Sequence, residues 1–267
     1  MTWLSLIIEA ISLPDISRGG WRYAQRGWIT FSGKPVANLL ATLAEPIVTF
    51  VVVGYGLGHW MGAIAGQPYA TYFLPAAVAL AGMWIPFVEA SSAVLLRTSS
   101  QDCYWAAMQA PVDAKDIIHG EVLWAAVKGT LAGVVTMIFG AAAGISISHL
   151  WWSAVLLLFL LCILFAALGA FSAVTFGSSR ALIIIQGLIL TPLALLSDTL
   201  FPLSSMGAVG HWAALISPLT HGVHALRTMF TGQVSSQIFL NLGVIFLLAV
   251  IFVNLTVVQF RRRFSIS

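Results

Sequence analysis

Trp151-Trp-Ser-Ala-Val-Leu-Leu-Leu-Phe-Leu-Leu-Cys-Ile-Leu-Phe-Ala-Ala-Leu-Gly-Ala-Phe-Ser-Ala-Val-Thr175 carries no charged side chain. A bilayer core about 30 Å thick needs a helix of about 20 such residues, so this stretch predicts a membrane-spanning helix. Similar apolar runs recur through the 267-residue chain, at about 38–59, 70–93, 122–145, 181–199 and 238–259. Composition agrees: hydrophobic residues make up 60% and charged residues 8%, and the mean hydropathy is +0.97. Soluble domains carry about 25% charged residues, so a water-soluble fold is excluded. A transmembrane barrel would show alternating segments of about ten residues, which the sequence lacks. The fold class predicted is all-α integral membrane protein with six transmembrane helices.

The placement of charge sets the expected orientation. With the N-terminus cytoplasmic, eleven of the twelve Lys and Arg residues fall at the inner side, and only Arg227 outside. Both termini are then expected to be cytoplasmic, and no basic-flanked cleavable leader is expected. Residues 1–37 read as cytoplasmic interfacial helices: Trp3, Leu4, Ile7, Ile8 and Ile11 repeat at helical spacing, and Arg18, Arg22 and Arg26 share a second helical face. Residues 38–267 form the spanning domain. Between the fifth and sixth runs, residues 200–230 are too apolar for an ordinary loop and are broken by Pro202 and Pro218. They predict a re-entrant hairpin entering the outer leaflet, with its backbone satisfied by protein or water.

Chemistry is sparse. Gly33-Lys34 is followed by Pro35, and Trp28 stands where a phosphate-binding loop needs its first glycine. Any ATP that drives this protein binds another chain. The two cysteines, Cys103 and Cys162, have no ligand spacing, and no catalytic motif or paired-carboxylate spacing is present. His211, His221 and His224 could bring imidazoles together, but no carboxylate or cysteine lies within a few residues; interfacial histidines are the plainer reading, and no metal site is predicted. No catalytic residue is assigned. Glu45 and Glu89 lie inside spans, where a charge costs about 2.5–3.5 kcal/mol at the bilayer centre. They are either structural carboxylates or part of an inner vestibule on the translocation path.

The inner loop at 97–120 is the richest segment. Gln101, Tyr104, Trp105 and Met108 suit one face of a short helix stopped before Pro111, and Asp113-Ala-Lys-Asp116 starts a second helix leading to Gly120. An exposed aromatic face flanked by charge suits either an anchor for a partner protein or a helix folded back on the membrane surface.

Four stretches resemble the permease subunits of ABC exporters that move polysaccharides, drugs and lipo-oligosaccharides, in particular the permeases of nodulation-factor exporters. They are Glu45-Pro46 with Gly54-Tyr-Gly-Leu-Gly58; Arg97 through Pro111; Gly120-Glu121; and Leu196 through Ser205 followed by Ser217-Pro-Leu-Thr-His221 and Ala225-Leu-Arg227. Asp198 departs from the small residue more usual there. The resemblance implies a bacterial inner-membrane homodimer, or a pair of related permeases, docked on two copies of an ABC ATPase that bind ATP and magnesium. No cofactor is then held by this chain, and no nucleic acid is involved. Arg97, Gln101, Asp102, Tyr104, Trp105 and Pro111 would couple to the ATPase. Glu45, Glu89, Asp198, Phe201, Pro202 and Arg227 would line the path of an amphipathic or lipid-linked cargo among membrane lipids. Two other classes remain: an ion- or proton-coupled carrier using Glu45 and Glu89, and a lipid-modifying enzyme using the outer histidines.

Overall fold

The computed structural model describes residues 18–64, 66–99, 113–233 and 236–263. Helix α1, Arg18–Ser32, is followed by α2, Pro35–Met61. A two-residue antiparallel hairpin, β1 (Ala63–Ile64) and β2 (Gln67–Pro68), leads into α3, Tyr69–Ser99. Then come α4, Ala114–Ala142, α5, Trp151–Phe176, and α6, Ser179–Leu195. A short 3₁₀ turn, Leu203–Met206, precedes α7, Gly207–Ile216, α8, Pro218–Thr231, and α9, Gln237–Arg263.

Among the described residues, five helices are long and apolar enough to cross a bilayer: α2, α3, α4, α5 and α9. The protein is therefore an all-α, multi-pass membrane protein. Helix α6, expected at 181–199, stops at Leu195. Its 17 residues cover about 26 Å at 1.5 Å per residue, slightly less than a bilayer core. The early stop has a local cause. The hydroxyls of Ser197 and Thr199 turn back onto the carbonyls of Leu193 and Ala194, and Asp198 takes a left-handed backbone with φ 59°. That conformation ends helices and is uncommon outside glycine.

The loop at 97–120 also differs from expectation. Helix α4 begins at Ala114, where the Asp113 N–H donates to Asp116 Oδ2 at 3.2 Å. It then continues through Gly120 into the span without a break, so the expected second loop helix is the first turns of span three.

Helix α3 is the axis of the bundle. It packs on α4, α5, α2 and α8. Its apolar stretch is 72% buried, against 17% for α2. Small residues set the close approach: Gly82 and Gly133 face Leu158, Gly129 faces Pro86 and Cys162, and Gly169 rests against the Phe87 carbonyl. Such small-residue contacts substitute for the hydrophobic drive that lipid cannot supply. A Cβ at Gly169 meets backbone, which cannot rotate away. Gly169→Val is expected to cost about 1–3 kcal/mol through overpacking, read as a lower aggregation temperature of the detergent-solubilised protein. Unchanged thermal behaviour would show that α3 and α5 can separate freely.

Two stretches depart from α geometry. Phe50–Leu57 in α2 and Gln186–Leu190 in α6 are π-helical. The first follows Pro46, which removes a backbone donor, and contains Gly54 and Gly56. Local π turns of this kind occur often at functional positions. Both lie on helices that leave large apolar side chains exposed, including Val48 and Val52 on α2 and Ile183 and Leu188 on α6.

Candidate functional sites at the two ends of the bundle

At one end, α1 lies along the first turns of α4 in parallel register. Gly19 faces Asp116, Gly20 faces His119, Tyr23 packs on Gly120, and Gly27 sits on Trp124. Phe31 meets Trp124 edge-on with ring centroids 5.8 Å apart. Every four residues along α1 thus advance four along α4, which keeps one small-residue face on its partner.

This packing brings α1 against two ion pairs that join α3 to α4. Arg97 pairs with Glu121, whose side chain is 3% exposed. Two turns deeper, Lys128 Nζ pairs with Glu89 Oε2 at 2.7 Å. The charges are crossed: α3 contributes one anion and one cation, and antiparallel α4 contributes the complements. Each layer is covered by an aromatic ring of α1. The Arg97 guanidinium lies 6.0 Å from the Tyr23 ring centroid, and the Lys128 ammonium 5.7 Å from that of Phe31. These are cation–π distances. A cavity of about 170 Å³ between the layers is lined by Thr30, Asn38, Glu89, Arg97, Trp124 and Lys128, among others.

Of the expected coupling residues, Arg97 is in this cluster; Gln101, Asp102, Tyr104, Trp105 and Pro111 lie outside the described residues. Glu89 is paired here, whereas Glu45 stands exposed on α2. Glu121 as the partner of Arg97, and Lys128 as the partner of Glu89, emerge only from the structure. The signal was present as spacing: eight residues from Glu89 to Arg97 and seven from Glu121 to Lys128 are both two helical turns.

The opposite end is organised by Asp198. Tyr72 and Arg97 mark the two ends of α3, about 38 Å apart along its axis. Asp198 Oδ1 accepts the Leu203 N–H at 2.9 Å and the Tyr72 hydroxyl at 3.3 Å. Its Oδ2 pairs with Arg227 and with His224 Nε2, the latter at 3.1 Å. Arg227 also donates to the Asp198 carbonyl at 2.5 Å, and its guanidinium stacks 3.9 Å from the Tyr72 ring centroid. Burial pushes the Asp198 pKa up, but the bond to His224, the Arg227 guanidinium and the Leu203 amide outweigh it, so the carboxyl titrates below its usual range. Tyr69 donates to the Leu200 carbonyl at 2.9 Å, and the Ser197 and Ser217 hydroxyls meet at 2.6 Å. The stretch 197–200 is thereby tied to α3 and α8.

Asp198, Pro202 and Arg227 of the expected path thus fall close together, with Pro202 and His224 lining a recess of about 390 Å³ beside Asp198. Phe201 is half-buried in the same turn. His221 is engaged elsewhere: its Nδ1 lies 2.8 Å from Asn241 Oδ1 on α9. The two histidines of this helix therefore serve different partners.

Helix α8 descends beside α5. Its Phe230 carbonyl accepts the Ser148 N–H, before α5 begins, whereas Gly222 packs on Leu161, ten residues inside it. That is a depth of about 15 Å. A cleft of about 600 Å³ opens beside this end of α8, with Thr71, Tyr72, Ser146, Arg227 and Phe230 in its wall.

The structure is thus a multi-pass helical bundle with a polar cluster at each end. The ABC-2 type transporter family matches residues 20–231, and the chain belongs to that family. It is the membrane subunit of an ABC transporter. Nodulation protein J of Rhizobium leguminosarum bv. trifolii is 30% identical over 247 residues, 91% of this chain and 92% of its own length. Nodulation protein J of Rhizobium meliloti is 27% identical over 249 residues, 91% and 94% of the two chains. The protein of the same name from Azorhizobium caulinodans is 22% identical over 242 residues. No solved structure matches the chain.

Proposed function

We propose that this chain is the permease of an ATP-driven exporter, moving an amphipathic or lipid-linked substrate outward across a bacterial inner membrane, powered by a separate ATPase. Both termini are cytoplasmic, α6 is the sixth crossing with its shortness absorbed by local thinning or by its polar flanks, and residues 200–230 form a re-entrant hairpin in the outer leaflet. An even number of crossings agrees with the eleven-to-one division of Lys and Arg, and the 15 Å descent of α8 along α5 supports the hairpin.

The observation that carries the reading is the inner cluster. Two ion pairs joining α3 to α4, covered by rings of α1, sit at the root of the loop 97–120. A push on that loop would be delivered to three helices together. Two ATPase copies, each holding ATP and magnesium, would dock there on a permease dimer. The exposed faces of α2 and α6 provide apolar surface for the second permease copy. Substrate would enter from the inner leaflet and leave beside Asp198 and Arg227. The carrier alternative is weakened by Glu89 being paired with Lys128, while Glu45 is exposed on α2.

The test is reconstitution. The permease is expected to copurify with an ABC ATPase encoded beside it, and Trp105→Ala is expected to cut transport at least about ten-fold through loss of one aromatic anchor, with membrane insertion unchanged. Transport by vesicles containing the permease alone under an imposed proton gradient would overturn the reading.

A further inference from the structure

The ends of α5 and α9 that lie near the inner cluster's side enclose an open cleft of about 430 Å³. Its wall is Val174, Thr175 and Phe176 from α5 with Gln259, Arg262 and Arg263 from α9. The polar groups are two guanidiniums, a carboxamide and a hydroxyl; no carboxylate is among them. Arg263 is held in place. Its Nη1 donates to the carbonyls of Ala173 and Val174, satisfying the open end of α5, and the guanidinium lies over Gly177, where a Cβ would collide with it. Gly177 has φ 58°, so the residue that ends α5 also makes room for this arginine. Arg262 is exposed at the cleft, with Arg261 beside it and Arg180 exposed at the start of α6. The C-terminal ends of α5 and α9 offset part of this charge, each acting as roughly half a negative charge. The two guanidiniums in the wall, Arg262 and Arg263, exceed that, so the cleft remains cationic.

We propose that this cleft binds the phosphate of an anionic phospholipid from the leaflet at this end of the bundle. A guanidinium fork matches phosphate oxygens two at a time. Basic recesses between helix ends are a recurring way to hold anionic headgroups. Gln259 and Thr175 supply neutral donors for the glycerol oxygens, and Phe176, 56% exposed, gives the acyl chains an apolar wall. Among the described residues the wall of the cleft holds no acidic group to receive a choline or ethanolamine ammonium, so a net-negative headgroup is favoured over a zwitterionic one.

Native mass spectrometry of the purified full chain tests this, titrating phosphatidylglycerol against phosphatidylcholine. The wild type is expected to retain phosphatidylglycerol with about five-fold preference, and Arg262→Gln to remove about that factor, as one arginine near a charged surface contributes. Arg262 is used because it does not satisfy the end of α5, so the variant keeps its fold. Arg22→Gln, on α1, is expected to leave the preference intact. Equal retention of the two lipids, or an unchanged preference in Arg262→Gln, would overturn the proposal. Displacement of the lipid by millimolar glycerol phosphate would reassign the cleft to a soluble phosphate and overturn the lipid source.

Discussion

Arg97→Ala is expected to destabilise the permease by about 3 kcal/mol, at the lower end of the range for breaking a buried ion pair. The lower end applies because Arg97 keeps a quarter of its side-chain exposure, whereas Glu121 keeps only 3%. The loss comes mainly from stranding the Glu121 carboxylate without a partner. Glu121→Ala is therefore expected to cost less, since it leaves the better-hydrated partner. The double exchange Arg97→Glu with Glu121→Arg is expected to recover at least half of the loss, as the pair is rebuilt in reversed sense. Tyr23 would then lie beside the carboxylate, so recovery remains incomplete. Thermal aggregation of the detergent-solubilised protein measures all three. If the exchange is as damaging as the two single changes added together, the pair does not hold α3 to α4.

Asp198→Ala is expected to have an effect of similar size, about 3 kcal/mol, at the other end of the bundle. It removes the anion opposite Arg227, the acceptor for the Leu203 N–H and the partner of His224 in one step. It also places alanine in a left-handed backbone, at a cost of about 1 kcal/mol. Asp198→Asn separates these contributions, because asparagine tolerates that backbone and keeps one acceptor, and it is expected to lose about half as much. Since the native pKa is depressed, the carboxylate's contribution is present at neutral pH and is lost only as pH falls through the lowered native value, below the ordinary range. A stability profile flat from pH 8 to about 5 that falls more steeply in wild type than in Asp198→Asn under stronger acid is the expected signature. A decline centred near pH 6.5, shared by both proteins, would instead indicate histidine control.

Much of the fold was legible because hydropathy has a long period and a single cause. The ends of α5, Trp151 and Phe176, lie within a residue of the apolar run, and α2, α3 and α9 contain their predicted spans. The end of α6 was not legible, because it depends on hydroxyls of Ser197 and Thr199 folding onto nearby carbonyls, and on the backbone of Asp198. Serine and threonine are common within spans, so residue type alone does not mark that stop. The π-helical turn at 50–57 was equally hidden, although its glycines were visible. At the sites, single residues stood out and their partners did not. Arg97, Glu89, Asp198 and Arg227 are conspicuous charges in an apolar chain. That Lys128 answers Glu89 follows only once α3 and α4 are placed antiparallel in the observed register. Tyr23 and Phe31 depend on a further register, that of α1 against α4.

The glycines of α1 have a mechanical consequence. Gly19, Gly20 and Gly27 occupy three of its fifteen positions, each worth about 1 kcal/mol less helix stability than alanine, in a segment that is marginal alone even with favourable residues. Contact with α4 is what keeps it wound. To peel this segment away is also to melt it, so any displacement short of that must carry both rods as a single stiff body. A strap built this way transmits force while fastened and goes slack once torn loose.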